Sequence, residues 1–167
     1  MGTFSDYGGL KLAYLAALDS PDPSTQVGAV ICDRSGKLIG VACNDFPIGV
    51  LASSDRLERP LKYSVVEHAE RGAIYQAAKS GLRTKKATMF TLGTPPCADC
   101  SRACICAGIS RVVVHQVFEN KMKDHPAWID SCSLGRQMLY EAGVEVSVYE
   151  GKVGTAPIRF NGELVYP

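Results

Sequence analysis

The sequence predicts an α/β fold: a three-layer α/β/α sandwich around a central, mixed five-stranded sheet. Three observations predict it. Short apolar, β-branched runs alternate with helical stretches along most of the chain. The first two runs are separated only by the tight turn "DRSG" and read as a hairpin. The later runs are each separated by a helix, which favours parallel pairing among them. A chain of 167 residues fits one sizeable core, expected over 1–150, with 151–167 as a C-terminal extension.

Each element has its own signal. Tyr7, Leu10, Tyr14, Ala17 and Leu18 recur at helical spacing, and Pro21 and Pro23 end that helix. "QVGAVIC" (26–32) and "KLIGVAC" (37–43) form the hairpin, and 44–63 reads as irregular because Pro47, Gly49 and Pro60 break it. Residues 68–80 are helical with Gly81 as cap. "ATMFTL" (87–92) is a strand, 97–107 a helix ending at Gly108, and "RVVVHQV" (111–117) a strand. Residues 118–130 read as polar and irregular, 133–141 as a helix, and "VEVSVY" (144–149) as the last strand of the sheet. Asn161-Gly162 between "IRF" and "ELVY" is the preferred two-residue hairpin signal, so the extension is expected to be a β-hairpin.

Composition narrows the functional classes. A formal net charge of +1 with 21% charged residues gives no basic surface for a polynucleotide and no acidic bias toward disorder. No run approaches the ~20 apolar residues of a membrane span, and the opening residues lack the pattern of a secretion signal. Seven cysteines, an odd number, argue against a disulfide scaffold. Reduced thiols in a cytoplasmic setting are expected, so a tight cysteine cluster points to metal binding or catalysis.

Four cysteines fall within 97–106. Cys97 and Cys100 form Pro-Cys-x-x-Cys at a helix start, where residues three apart share a face and exposed N–H groups favour thiolates. His68 opens the preceding helix, so one imidazole and two thiolates can meet on a zinc ion with one position left open. Glu70, in the first turn of the same helix, stands where a carboxylate can move protons without ligating the ion. Cys104 lies ~6 Å further along its helix than Cys100, too far to share the metal. It reads as a buried apolar residue, as do Cys106, Cys32 and Cys43. Taken singly, the cysteine pair could be a redox dithiol, His68 a core histidine and Glu70 a solvated helix-start acid. The ordered pattern His-x-Glu…Pro-Cys-x-x-Cys unites them and resembles the zinc-deaminase signature.

Further segments carry a closer resemblance. "SPDPSTQVGAVI" (20–31), "CNDFPIGV" (43–50), "LKYSVVEHAERGAI" (61–74) and "PCADC" (96–100) together resemble the deoxycytidylate deaminase family. The resemblance implies a cytidine-deaminase-like sandwich, zinc-dependent conversion of dCMP to dUMP with release of ammonia, and a homo-oligomer, typically a homohexamer. It implies His68, Cys97 and Cys100 as metal ligands and Glu70 as the catalytic acid/base. It also implies Asn44, Ala69 and Thr25 as substrate contacts, the Ala69 N–H meeting the pyrimidine carbonyl. The loop Asn44, Asp45, Phe46, Pro47 and Gly49 would be an effector-nucleotide site using Mg2+. Asp45 and Cys43 depart from the family pattern, and a carboxylate at 45 is unfavourable beside a triphosphate. Gly72 replaces an asparagine, and Pro95 an apolar residue before Pro-Cys.

A monophosphate needs cations, for which Arg56, Arg59, Lys62, Arg71 and Lys121 are the candidates. Trp128, the sole tryptophan, is a candidate wall of the substrate pocket, a subunit contact or a core residue. His115, His125 and Cys132 are too scattered to predict a second zinc site. The alternatives are a deaminase of a free nucleobase or nucleoside, or of a modified cytosine nucleotide. A polynucleotide editor and a non-catalytic zinc module closed by four protein ligands are the remaining readings.

Overall fold

The structure is a computed structural model that describes residues 4–92, 95–122 and 126–167. Its sheet follows the hydrophobic runs: β1 (Gly28–Cys32), β2 (Leu38–Cys43), β3 (Thr88–Thr91), β4 (Arg111–His115) and β5 (Glu145–Tyr149), in spatial order β2-β1-β3-β4-β5. β1 pairs antiparallel with β2 and β3, whereas β3–β4 and β4–β5 are parallel. The mixed five-stranded sheet and its parallel half are therefore as the alternation of runs predicts.

Helices cover both faces of the central strands: every residue of β1 is buried, as are most of β3 and β4, whereas the edge strand β2 is only partly buried. Val30, Cys32, Phe90 and Val113 face one side, where they pack with Leu10, Ala13, Tyr14 and Ala17 of α1 (Asp6–Ala17). Ala29, Ile31, Met89, Val112 and Val114 face the other. They pack there with Ala69 and Ala73 of α3 (Ala69–Lys79), Cys104 of α4 (Ala98–Cys106) and Leu139 of α6 (Pro126–Glu141). The period-2 alternation of a strand thus sorts its side chains between two helical layers.

Two irregular stretches contain more helix than the sequence predicts. Between 44 and 63 there is a 3-10 turn, Asp55–Leu57, and the start of a short helix, α2 (Lys62–Val65). Within 118–130, α5 (Gln116–Met122) follows β4 directly and α6 begins at Pro126. Their polar composition hides the few apolar residues, Phe118 and Trp128 among them, that pack onto the core. Cys106 also departs from expectation: it is exposed, because it lies on the outer side of α4. His125 lies outside the described residues.

The predicted C-terminal hairpin forms from β6 (Ile158–Phe160) and β7 (Glu163–Val165). Asn161 and Gly162 have φ of 52° and 82°, as a two-residue turn with both central residues left-handed requires. Ile158, Phe160 and Val165 are buried in the same cluster as α1. Among the described residues no helix is long and apolar enough to cross a membrane.

Candidate active site

Two helix N-termini converge beside the sheet. His68 is the N-cap residue of α3 and Cys97 that of α4, both with extended ψ, so each side chain leaves its helix at the end where N–H groups are unsatisfied. Cys100 follows one turn later on the same face. His68 Nδ1 lies 3.6 Å from Cys97 Sγ and 3.3 Å from Cys100 Sγ. One donor atom from each of the three falls within 4.8 Å of the others. Donors bound to zinc at about 2.3 Å for sulfur and 2.0–2.1 Å for nitrogen, at tetrahedral angles, lie about 3.5–3.8 Å apart. The three side chains therefore fit a tetrahedral zinc with little movement, and they are the cluster of metal-donor type found among the described residues.

The protonation pattern follows from this crowding. Hydrogen bonds from Cys100 and His68 push the Cys97 thiol down to about 4, despite its burial. The bond to Cys97, together with burial, pushes the Cys100 thiol strongly up. The bond to Cys97 also holds His68 above its ordinary value. The downward shift of Cys97 favours the thiolate, the form that binds metal.

Glu70, in the first turn of α3, is buried, with Oε2 3.5 Å from Cys100 Sγ. Burial raises its carboxyl above the usual carboxylate range, opposed by the positive charge of His68. It stands beside the cluster, one atom's reach from the donors. Gly135 makes this packing possible from the far side. A Cβ there would lie 2.3 Å from the Pro96 carbonyl oxygen and 2.6 Å from Ser101 Oγ, so α6 can press against the Pro96-Cys97 turn only without a side chain. Gly72 has a related reason: its missing Cβ would sit 2.9 Å from Cβ of Ala42 on β2.

The donors open into a cleft that encloses about 140 Å3 and is partly open to solvent. His68, Ala69, Glu70 and Cys97 line it, together with Pro95 and Leu92. Ala69 is the first residue of α3, so its N–H is one that the helix itself leaves unsatisfied. Trp128 and Tyr63 line the same cleft with ring centroids 6.0 Å apart, and Trp128 lies 5.9 Å from the His68 ring. Trp128 is half-buried, lining the cleft with one side and packing against the core with the other.

Asn44 and Thr25 also line the cleft, yet both are held by protein partners. Asn44 Oδ1 accepts the Val27 N–H at 2.7 Å, and its amide donates to the Thr25 carbonyl at 2.8 Å. Thr25 Oγ1 accepts the Asn161 N–H at 3.2 Å. In the neighbouring loop Phe46 is buried, while Asp45, Pro47 and Gly49 are exposed and outside the cleft.

The five candidate cations separate clearly. Arg71 pairs with Glu67 at 2.5 Å, and Lys121 with Glu163 at 3.0 Å. Arg56 donates to the Leu51 carbonyl and does not line the cleft. Lys62 does, but its ammonium is buried against the Asp22 carboxylate at 2.7 Å. Arg59 lines the cleft and, among the described residues, has no carboxylate partner. Of the remaining lining residues, Asp22 falls within the 20–31 segment that carries the family resemblance, whereas Phe160, Asn161 and Cys132 carry no sequence signal for a site. Asn161-Gly162 announces a turn but not where that turn docks.

A cleft ending in a His-Cys-Cys donor set, with a buried carboxylate alongside and an α/β/α scaffold behind it, defines a zinc-binding hydrolase of the deaminase class. Comparison with known proteins agrees. Residues 5–116 match the cytidine and deoxycytidylate deaminase zinc-binding region. The chain is 37% identical to mouse deoxycytidylate deaminase over 160 residues, covering 91% of this chain and 83% of that protein. It is 34% identical over 137 residues to an uncharacterized deaminase in the luxG 3' region of Aliivibrio fischeri, covering 82% and 88%. The crystal structure of dCMP deaminase from the cyanophage S-TIM5 shares the fold, with a TM-score of 0.63 at 23% identity, covering 86% of this chain and 96% of that one. The chain belongs to the deoxycytidylate deaminase family of the cytidine deaminase-like superfamily, and it is a hydrolytic deaminase.

Proposed function

We propose that the protein deaminates dCMP to dUMP, with zinc on His68, Cys97 and Cys100 and Glu70 as the proton carrier. The observation that carries this reading is the cleft itself. It is lined both by His68, Cys97 and Glu70 and by Arg59, which has no carboxylate partner among the described residues, so one ligand with an amino-pyrimidine and an anionic group could engage both. The relatives named deoxycytidylate deaminase support the same substrate.

A zinc ion held by these donors supplies the Lewis acidity that makes water a nucleophile near neutral pH. The protein's residues do the rest. Glu70 accepts the proton of the attacking water and delivers it to N3 of the pyrimidine as the water oxygen bonds to C4. It then carries the proton of the hydroxyl now on C4 to the amino group, the C4–N bond breaks as the C4 carbonyl forms, and ammonia leaves. The Ala69 N–H donates to the pyrimidine carbonyl, and Trp128 with Tyr63 packs beside the ring. Arg59 meets the 5'-phosphate. Asn44 and Thr25 shape the wall through the protein bonds described above.

A homo-oligomer, a cytoplasmic setting and an effector nucleotide with Mg2+ on the Asn44–Gly49 loop are finer parts of the reading. The first is decided by sedimentation, the second by fractionation and the third by titrating dCTP with Mg2+ against activity.

The test is ammonia release by zinc-loaded protein from dCMP, deoxycytidine, cytosine, guanine and a modified cytosine nucleotide, each over a concentration series. The highest kcat/KM is expected for dCMP. A higher value for a nucleoside, a base or the modified nucleotide overturns the substrate assignment. Quenching of the single tryptophan by dUMP gives an independent binding readout.

A further inference from the structure

The C-terminal hairpin lies beyond the family-matched residues 5–116, yet Phe160 and Asn161 form part of the cleft wall. Asn161 Oδ1 accepts a hydrogen bond from Arg59 Nη2 at 3.1 Å. This is the cation that lines the cleft without a carboxylate partner among the described residues. Arg59 belongs to an exposed segment and its long side chain has many rotamers. A fixed acceptor selects one orientation and, being a neutral amide oxygen, leaves the positive charge uncancelled. Lys62 shows the contrast: its partner is a carboxylate, so that pair presents no net charge to the cleft.

The acceptor is itself held firmly. The hairpin is tied to the 24–26 segment by Gln26 N–H to the Arg159 carbonyl at 2.8 Å and Gly162 N–H to the Ser24 carbonyl at 2.8 Å. The Arg159 N–H donates to Gln26 Oε1 at 3.0 Å, and the Asn161 N–H to Thr25 Oγ1. Asp22 in turn fixes that segment by accepting the Ser24 and Thr25 N–H groups at 2.8 and 3.1 Å, and it binds Lys62, three residues after Arg59. These contacts link Arg59 through Asn161, Thr25 and Asp22 to Lys62, and the chain segment 59–62 closes the ring. Phe160, next to the turn, meets Phe118 edge to face with ring centroids 5.2 Å apart and anchors the hairpin in the core.

We propose that Asn161 is a positioning residue that holds the Arg59 guanidinium at the rim of the cleft, and that the C-terminal hairpin thereby selects phosphorylated over unphosphorylated substrates. This rests on the assignment of a nucleotide monophosphate as substrate. One of the five guanidinium N–H groups is spent on Asn161, and the fork geometry leaves others for phosphate oxygens.

Asn161→Gly tests it while keeping the turn geometry, because glycine accepts a φ of 52° at no steric cost. Zinc content and melting behaviour serve as folding controls. The KM for dCMP is expected to rise roughly fivefold to tenfold, with kcat within about twofold. The preference for dCMP over deoxycytidine falls by the same factor. Arg59→Ala raises the same KM by roughly 10- to 100-fold, and the double variant is no worse than Arg59→Ala alone, because Asn161 acts only through Arg59. Losses that multiply in the double variant overturn the proposal, as does a drop in kcat with KM unchanged. The double-variant comparison needs only dCMP. A wild-type protein inert toward dCMP would instead remove the substrate assignment on which the proposal stands.

Discussion

Replacing Glu70 with glutamine separates holding the metal from moving the proton. Glu70 Oε2 lies 3.5 Å from Cys100 Sγ, close enough to serve a group bound beside that sulfur. Glutamine keeps the size of a side chain that is only 7% exposed and removes a charge from a buried site, so the fold and the donor set should survive. Positioned proton transfer contributes roughly 10²- to 10⁴-fold to rate, and Glu70 is assigned two transfers, so kcat should fall by at least that range, about 3–5 kcal/mol of barrier. The assay is steady-state ammonia release from dCMP, paired with zinc stoichiometry on the same preparation. Retained zinc with kcat down by two or more orders of magnitude is expected. Activity within threefold of wild type would refute the proton role. Zinc lost in proportion to activity would show that the carboxylate holds the metal rather than the proton.

Other consequences follow from the same geometry. Cys100→Ala leaves two donors, so zinc stoichiometry measured after dialysis should fall to near zero together with activity. Gly135→Ala places a Cβ against the Pro96 carbonyl and Ser101 Oγ; a melting temperature lowered by an amount equivalent to about 1–3 kcal/mol and weaker zinc retention against a chelator are expected. His115 accepts a hydrogen bond from the Tyr14 hydroxyl at Nδ1 (2.6 Å) and donates from Nε2 to the Gly151 carbonyl (2.9 Å), which suits the neutral ring. Burial lowers its pKa, so the unfolded chain binds the proton more readily. Its contribution is complete above the unfolded pKa of about 6.5 and is lost as pH falls through the lower folded value. The melting temperature should therefore drop with acidification below about pH 6.5, with a shallower slope in His115→Gln; an unchanged slope would refute the assignment.

The chain itself carries the layered fold, because strand alternation and helix spacing are local patterns that survive any tertiary arrangement. It carries the metal site for the same reason. His68 with Glu70, and Cys97 with Cys100, are each fixed by a single helix start, and only their meeting is nonlocal. Polar stretches such as 118–130 hide their helices, since single packed residues like Phe118 and Trp128 set them rather than a periodic face.

Tertiary structure alone decides which cation serves the cleft. Arg56, Arg59, Lys62, Arg71 and Lys121 are equivalent as letters, and they differ in whether the fold brings them to the cleft and whether a carboxylate has already taken their charge. It also decides that a turn at Asn161, about ninety residues beyond Glu70, closes the same cleft. Electrostatic pairing and docking depend on distance in space, and distance along the chain does not encode it.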